Sequence, residues 1–168
     1  LCSTITATNQ FTELCEKTSA NWEKIKKALI SDKRIGKYAY VKPSLGISGG
    51  NLERDIKSIE ELNKKYKIQN KFIDSINLFS NNKKNWVKNI LQKNNLIKKN
   101  INFGVLGLSY KENTNSLKNS TSILLIKQLC KKNKVFGYDP EARNFEFRNF
   151  QRLKKIENFL NFSKIIII

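Results

Sequence analysis

Apolar residues recur at helical spacing through the first ninety or so positions and then change to short, continuous runs. Leu1, Ile5, Phe11, Leu14 and Cys15 mark one face of a helix. Thr18-Ser19-Ala20-Asn21 interrupts it, and Asn21 is placed to cap a second helix that turns Trp22, Ile25, Ala28 and Leu29 inward, with Glu23 near its positive end. A third stripe runs through Leu52, Ile56, Ile59, Leu62 and Tyr66. The longest follows at Phe72, Ile73, Ile76, Phe79, Trp86, Val87, Ile90 and Leu91, about five turns of helix with a weak break near Ser80-Asn81-Asn82. The Lys- and Asn-rich connector from Leu96 to Asn102 marks the expected domain boundary, a helical region over 1–95 and a second domain over 96–168.

Beyond that connector the pattern alternates between strand and helix. Phe103 to Leu108 reads as a short strand, 109–119 as a polar loop, and Ser120 as the cap of a helix carrying Ile123, Leu124, Ile126, Leu129 and Cys130. Val135 to Pro140 is a second strand and its exit. Phe150, Leu153, Ile156 and Leu160 predict a further helix before the strand of four isoleucines at 165–168. The fold class expected is α/β: an all-α first region, then a Rossmann-like parallel sheet with helices on its faces, truncated at both ends. Such sheets bind ligands beyond the carboxyl ends of their strands, here residues 108–119 and 139–143. Gly104-Val105-Leu106-Gly107-Leu108 is not a dinucleotide fingerprint, because no helix starts within its glycine turn.

The densest local signal lies between these regions, at Pro43-Ser-Leu-Gly-Ile-Ser-Gly-Gly-Asn-Leu-Glu-Arg-Asp55. Three of the seven glycines (Gly46, Gly49 and Gly50) precede a helix with Asn51 at its expected N-cap and Glu53 and Asp55 in its first turn. Glycine allows positive φ and close backbone approach, and a helix N-terminus offers N–H groups to an anion. On spacing alone, an ordinary Asn-capped loop is the better reading.

Composition narrows the choice of function. The formal charge is +18 with no His, but only five of the 32 basic residues are Arg, and the lysines are spread along every helix among Asn and Ile. No nucleic-acid signature accompanies them, so specific nucleic-acid binding is not expected, whereas salt-sensitive non-specific adhesion is. Cys2, Cys15 and Cys130 are odd in number and far apart, with neither C-x-x-C nor His, so neither zinc nor a Cys-His pair can be assembled. Buried thiols in a reducing, cytoplasmic setting are the expectation. No apolar run approaches the length of a membrane span. A chain without Met that opens in a helical stripe and stops in an isoleucine strand reads as an internal piece of a longer protein.

Five stretches, in order, resemble the UDP-glucose/GDP-mannose dehydrogenase family. Ala7 to Lys17 (A-T-N-Q-F-T-E-L-C-E-K) is similar to the F-x-N-E-I-x-x-L-C-E stretch of its central helix, with Gln10 for Glu. Asp32-Lys-Arg-Ile-Gly36 matches D-x-R-I-G. Residues 43–55 resemble the active-site loop G-x-G-[FY]-G-G-S-C-[FL]-P-K-D, with Arg54 for the Lys and Asp55 on the Asp. The nucleophilic Cys falls on Asn51, or on Leu52 when the Gly-Gly pairs are superposed. Finally, G-V-L-G-L-S-Y-K-E-N-T-N-S-L-K-N-S (104–120) and V-F-G-Y-D-P (135–140) resemble the family's A-V-L-G-L-A-[FY]-K-x-x-T-D-D-x-R-E-S and V-x-x-Y-D-P.

The resemblance implies an NAD-dependent nucleotide-sugar dehydrogenase that oxidises the C6 alcohol of UDP-glucose or a related UDP-sugar to the uronate. The catalytic positions implied are Asn51, standing where the family has Cys, and Asp55, a base or orienting group. The substrate-binding positions implied are Arg34, reaching a neighbouring subunit's nucleotide sugar, with Tyr38, Tyr40, Gly46, Gly49, Gly50, Lys111 and Lys118. Lys118 replaces an Arg, which keeps the charge and loses the bidentate fork, and it is also a possible NAD contact. The family's catalytic Lys and Asn, and most of its NAD site, belong upstream of Leu1. A homodimer through the central helices is implied, and the same helices, left uncovered, predict self-association. Two alternatives stand beside this reading: a divergent homologue that binds nucleotide sugar without completing the oxidation, and a basic interaction domain.

Overall fold

In the computed structural model, which describes all 168 residues, the chain divides into two compact units. The first comprises Leu1–Ile47 and Leu52–Lys84, the second Ser48–Asn51 and Asn85–Ile168.

The first unit is all helical: α1 (Cys2–Thr18), α2 (Trp22–Ser31), α3 (Asn51–Lys65) and α4 (Lys71–Lys84). α1 ends where Ser19 turns left-handed at φ 57° and its neighbour's N–H closes on Cys15. Asn21 caps α2 as expected, its side chain accepting from the Lys24 N–H at 3.1 Å. Asn51 is the first helical residue of α3 and not its cap, so Asp55 lies one residue further in than expected and past the first turn, leaving Glu53 as that turn's acid. The core is small: Ile5, Ile47, Ile56 and Ile76 are buried, with Cys2, Leu52 and Ile73 packed against them. Many other stripe positions, among them Phe11, Leu14, Leu62, Tyr66 and Phe72, are more than half exposed.

The long stripe of 72–91 is two helices. It breaks at Asn85 and not at 80–82, giving α4 and α5 (Trp86–Lys93). The stripe is shared between two cores: Ile76 of α4 belongs to the first unit, whereas Leu91 and Val87 of α5 pack into the second. The division between units thus follows Lys84, and the connector chosen from composition, 96–102, lies inside the second unit.

The second unit is a four-stranded, all-parallel sheet in the order β3-β2-β1-β4, built from β1 (Asn102–Leu106), β2 (Lys134–Tyr138), β3 (Phe150–Arg152) and β4 (Ile165–Ile167). α6 (Thr121–Leu129) and α7 (Ile156–Phe162) cover opposite faces. Strand alternation explains the division. Phe103, Val105 and Val135 point into the cluster made with Ile123, Ile126 and Leu129 of α6, while Leu106, Phe136 and Tyr138 point into the cluster made with Phe159 and Ile156 of α7.

The helix expected from Phe150 onward begins only at Ile156, because Phe150–Arg152 is an edge strand. Phe150 packs in the α6 cluster and Leu153 in the α7 cluster, on opposite sides of the sheet. Positions three apart on a helix would share a face, so the helical spacing of 150 and 153 was coincidental.

Gly104 sets how closely α7 lies on the sheet. A Cβ there would come within 2.7 Å of Ser163 Cβ and 2.8 Å of a Phe159 ring carbon. Gly104→Ala should therefore destabilise the second unit by about 1–3 kcal/mol through overpacking, read as a lowered denaturant midpoint.

Candidate functional site

The carboxyl ends of β1 and β2 are tied together by one carboxylate. Asp139, just past β2, accepts from the N–H groups of Leu108 at 2.7 Å and Ser109 at 3.1 Å through one oxygen. Its other oxygen accepts from Glu141 and Ala142, both at 3.0 Å. Burial alone raises its pKa, but these four N–H donors outweigh burial and hold the carboxyl below the ordinary aspartate range. Ser120 fixes the far end of the 108–119 loop: its hydroxyl donates to the Leu108 carbonyl at 2.7 Å and accepts from Ile123 N–H at 3.4 Å as the cap of α6. Within the loop, Tyr110 N–H bonds the Ser116 carbonyl at 3.1 Å, and Arg143 N–H bonds the Asn115 carbonyl at 3.0 Å.

This loop meets the 48–51 segment within the same unit. The Asn119 side-chain amide donates to the Gly49 carbonyl at 2.8 Å. Gly49 has φ +89°, and a Cβ there would stand 2.8 Å from a Tyr110 ring carbon, so both the backbone turn and the close aromatic approach require glycine. A Cβ on Gly50 would stand 2.9 Å from Lys118 Nζ. Lys111 Nζ lies 5.6 Å from the centre of the Tyr110 ring. Gly49, Gly50, Asn51, Tyr110, Lys111, Lys118 and Asn119 thus belong to one assembly of loop backbone and lysine ammonium groups. Such an arrangement is suited chemically to an anionic, phosphate-bearing ligand. Tyr110 and Asn119 escaped the sequence reading as site residues, since they matter through Gly49, some sixty and seventy positions away respectively.

The remaining predicted residues lie in the first unit. Gly46 is buried beside Ser80, whose hydroxyl accepts from Ile47 N–H at 2.9 Å. Glu53, in the first turn of α3, pairs with Lys84 at the end of α4. Asp55 is exposed and pairs with its neighbour Arg54 at 2.8 Å. Arg34 is exposed, its guanidinium 2.6 Å from Asp32, and that hydrogen-bonded pairing holds the Asp32 carboxyl below its usual range. Tyr38 and Tyr40 are exposed on the same stretch, with Lys37 Nζ 5.0 Å from the Tyr38 ring centre.

All three cysteines are free thiols. Cys15 and Cys130 are buried, and burial pushes the Cys130 thiol up to about 11. Cys2 is half-buried and raised, by burial first and by the Asp55 charge in smaller part. A nicotinamide dinucleotide does not fit the β1 turn. Gly107 does not open a helix: α6 starts only at Thr121, and the Ser120 hydroxyl already occupies the Ile123 N–H at its N-terminus. No group of His, Cys, Asp and Glu could hold a metal ion.

An all-helical unit followed by a parallel sheet is a fold shared with solved nucleotide-sugar dehydrogenases. The model of the UDP-glucose/GDP-mannose dehydrogenase family, central domain, matches residues 1–82, and that of the same family's UDP binding domain matches residues 104–168. The chain belongs to the UDP-glucose/GDP-mannose dehydrogenase family. It is 28% identical over 176 residues to UDP-glucose 6-dehydrogenase of Rickettsia felis, covering 100% of this chain and 39% of that protein. It is 31% identical over 156 residues to UDP-glucose 6-dehydrogenase of Campylobacter jejuni, covering 91% of this chain and 37% of that one. The chain therefore spans less than two fifths of the length of these relatives. Among solved structures, a UDP-glucose dehydrogenase from Pyrobaculum islandicum superposes with a TM-score of 0.89 at 19% identity, over 99% of this chain and 40% of that one, a likeness of fold.

Because the folded pKa of Asp139 is depressed, its stabilising contribution is present above the ordinary aspartate value of about 3.9 and is lost as pH falls through the lower folded value. Acid titration of unfolding should show the wild type losing stability below about pH 4. Asp139→Asn should be weaker at neutral pH and flatter through that window.

Proposed function

We propose that this chain is the central and UDP-sugar-binding portion of an NAD-dependent dehydrogenase that oxidises the C6 alcohol of UDP-glucose, or of a related UDP-sugar, to the uronate. The observation that carries the reading is the packing of Gly49 and Gly50 against Tyr110 and Lys118, which joins the loop resembling the family's active-site loop to the loop resembling its UDP-sugar-binding motif. In this reading Lys111 and Lys118 neutralise the diphosphate, and the glycines let the backbone approach the sugar. Arg34, held in place by Asp32, reaches a nucleotide sugar in a second subunit together with Tyr38 and Tyr40. The exposed apolar side chains of the helical unit, such as Phe11, Phe72 and Leu78, support a homodimer. The nicotinamide cofactor is NAD, held mainly by residues outside this chain, with Lys118 as its one possible contact here. The setting is cytoplasmic.

Asp55 serves as the base or orienting group near the reacting carbon. Asn51 can hydrogen-bond the carbonyl or hydrate oxygen of the sugar but cannot form a covalent adduct. Oxidation to the carboxylate therefore proceeds through addition of water to the aldehyde. A second reading is favoured by the same residue: a divergent homologue that binds the nucleotide sugar without completing the oxidation. Asn51 at the nucleophile position, with the cysteines buried or half-buried, is the observation that supports it.

Removing two hydrides from an alcohol gives the carboxylate, and removing one gives the aldehyde. With the full-length protein, UDP-glucose and NAD, two NADH per sugar are expected on the first reading. One per sugar would place the end point at the aldehyde. No NADH, with UDP-glucose still bound and related UDP-sugars also unreactive, would establish the second reading. On the first reading Asp55→Asn should lower turnover by about a hundredfold or more, the usual contribution of a general base.

A further inference from the structure

We propose that Arg152 is a positioning residue for the nucleotide-sugar loop 108–119, acting from the edge strand through the turn 139–144. The inference rests on the reading of that loop as a UDP-sugar site. Arg152 is the last residue of β3 and is half-buried. Its guanidinium donates from Nη1 to the Ala142 carbonyl at 2.6 Å and to Asn144 Oδ1 at 3.4 Å. From Nη2 it donates to the Asp139 carbonyl at 2.6 Å and to the Pro140 carbonyl at 3.4 Å. The turn is therefore held between two side chains of opposite charge. The Glu141 and Ala142 N–H groups point to the Asp139 carboxylate, and the carbonyls of 139, 140 and 142 point to Arg152. A planar fork can satisfy several converging carbonyls at once, which a single ammonium cannot.

Two links carry this order into the loop. The Asp139 carboxylate bonds Leu108 and Ser109 N–H at the start of the loop, and Arg143 N–H bonds the Asn115 carbonyl in its middle. The loop in turn sets Tyr110 against Gly49 and Lys118 against Gly50. Arg152 touches none of the loop's ligand-facing groups. It fixes the turn on which the loop rests.

The test uses the full-length protein, with UDP as the probe and calorimetric titration as the readout. Arg152→Gln should weaken UDP binding roughly tenfold, within the range expected for mutations along a contact network, and Arg152→Lys should fall between. Lys154→Gln, which removes an exposed positive charge from the same unit, controls for the loss of charge on a basic protein and should bind as the wild type does. Amide hydrogen exchange supplies a readout independent of ligand: in Arg152→Gln, exchange at Leu108, Ser109 and Arg143 should quicken while that of β1 stays slow. Arg152→Gln binding UDP as wild type, with unchanged exchange at those amides, would overturn the proposal. So would weakening matched by Lys154→Gln, or a lowered melting temperature with wild-type affinity. If Arg152→Gln does not fold, Arg152→Lys carries the test, and wild-type affinity and exchange in that variant overturn it. A wild type that does not bind UDP at all would sink the site reading itself, and with it this role for Arg152.

Discussion

The carboxylate of Asp139 ties the exits of β1 and β2 of the second unit together. A parallel sheet leaves its strand ends as separate loops, each with N–H groups that the sheet ladder does not satisfy. Asp139 takes up four of them, two from the exit of β1 and two from the exit of β2. The carboxylate can do this because it is ionised and acceptor-only, with lone pairs enough for all four donors. The loop between β1 and α6 is thereby fixed at its start by a charge, at its end by the Ser120 hydroxyl, and in its middle by the Arg143 amide.

That fixation gives the 48–51 segment its partner. Gly49 meets the Tyr110 ring at a distance that leaves no room for a Cβ, Gly50 lies against the Lys118 side chain, and both contacts depend on the loop staying where Asp139 and Ser120 hold it. The same logic puts the ammonium group of Lys118 beside the backbone of Gly50, an arrangement suited to an anionic ligand. It also separates two kinds of residue in this site. Lys111 and Lys118 face solvent, whereas Asp139, Ser120 and Arg152 are occupied with backbone.

The first unit is built on a different principle. Its core of Ile5, Ile47, Ile56 and Ile76 is slight for four helices, and large apolar residues on those helices remain in water. Helices so sparsely buried gain little stability from packing within this unit. Ser80 and the Glu53–Lys84 pair secure the other half of the glycine stretch, around Gly46 and Ile47, to α4.

Much of this was legible in the sequence, and for local reasons. Asn21 and Ser120 declared themselves as caps because capping is decided by one side chain and the N–H three residues on. The parallel sheet followed from strands alternating with helices, and the family from motifs that are contiguous in the chain. What the sequence left open was non-local. The break at Asn85 depends on the helical stripe being divided between two cores, and β3 depends on Phe150 and Leu153 finding opposite faces of a sheet. Gly49 was visible as a glycine, but its need to be one comes from a tyrosine ring some sixty residues away. Asp139 and Arg152 were a motif residue and an anonymous arginine in the sequence. Only the tertiary structure brings the N–H groups to one and the carbonyls to the other, because both sets converge where two strands end side by side.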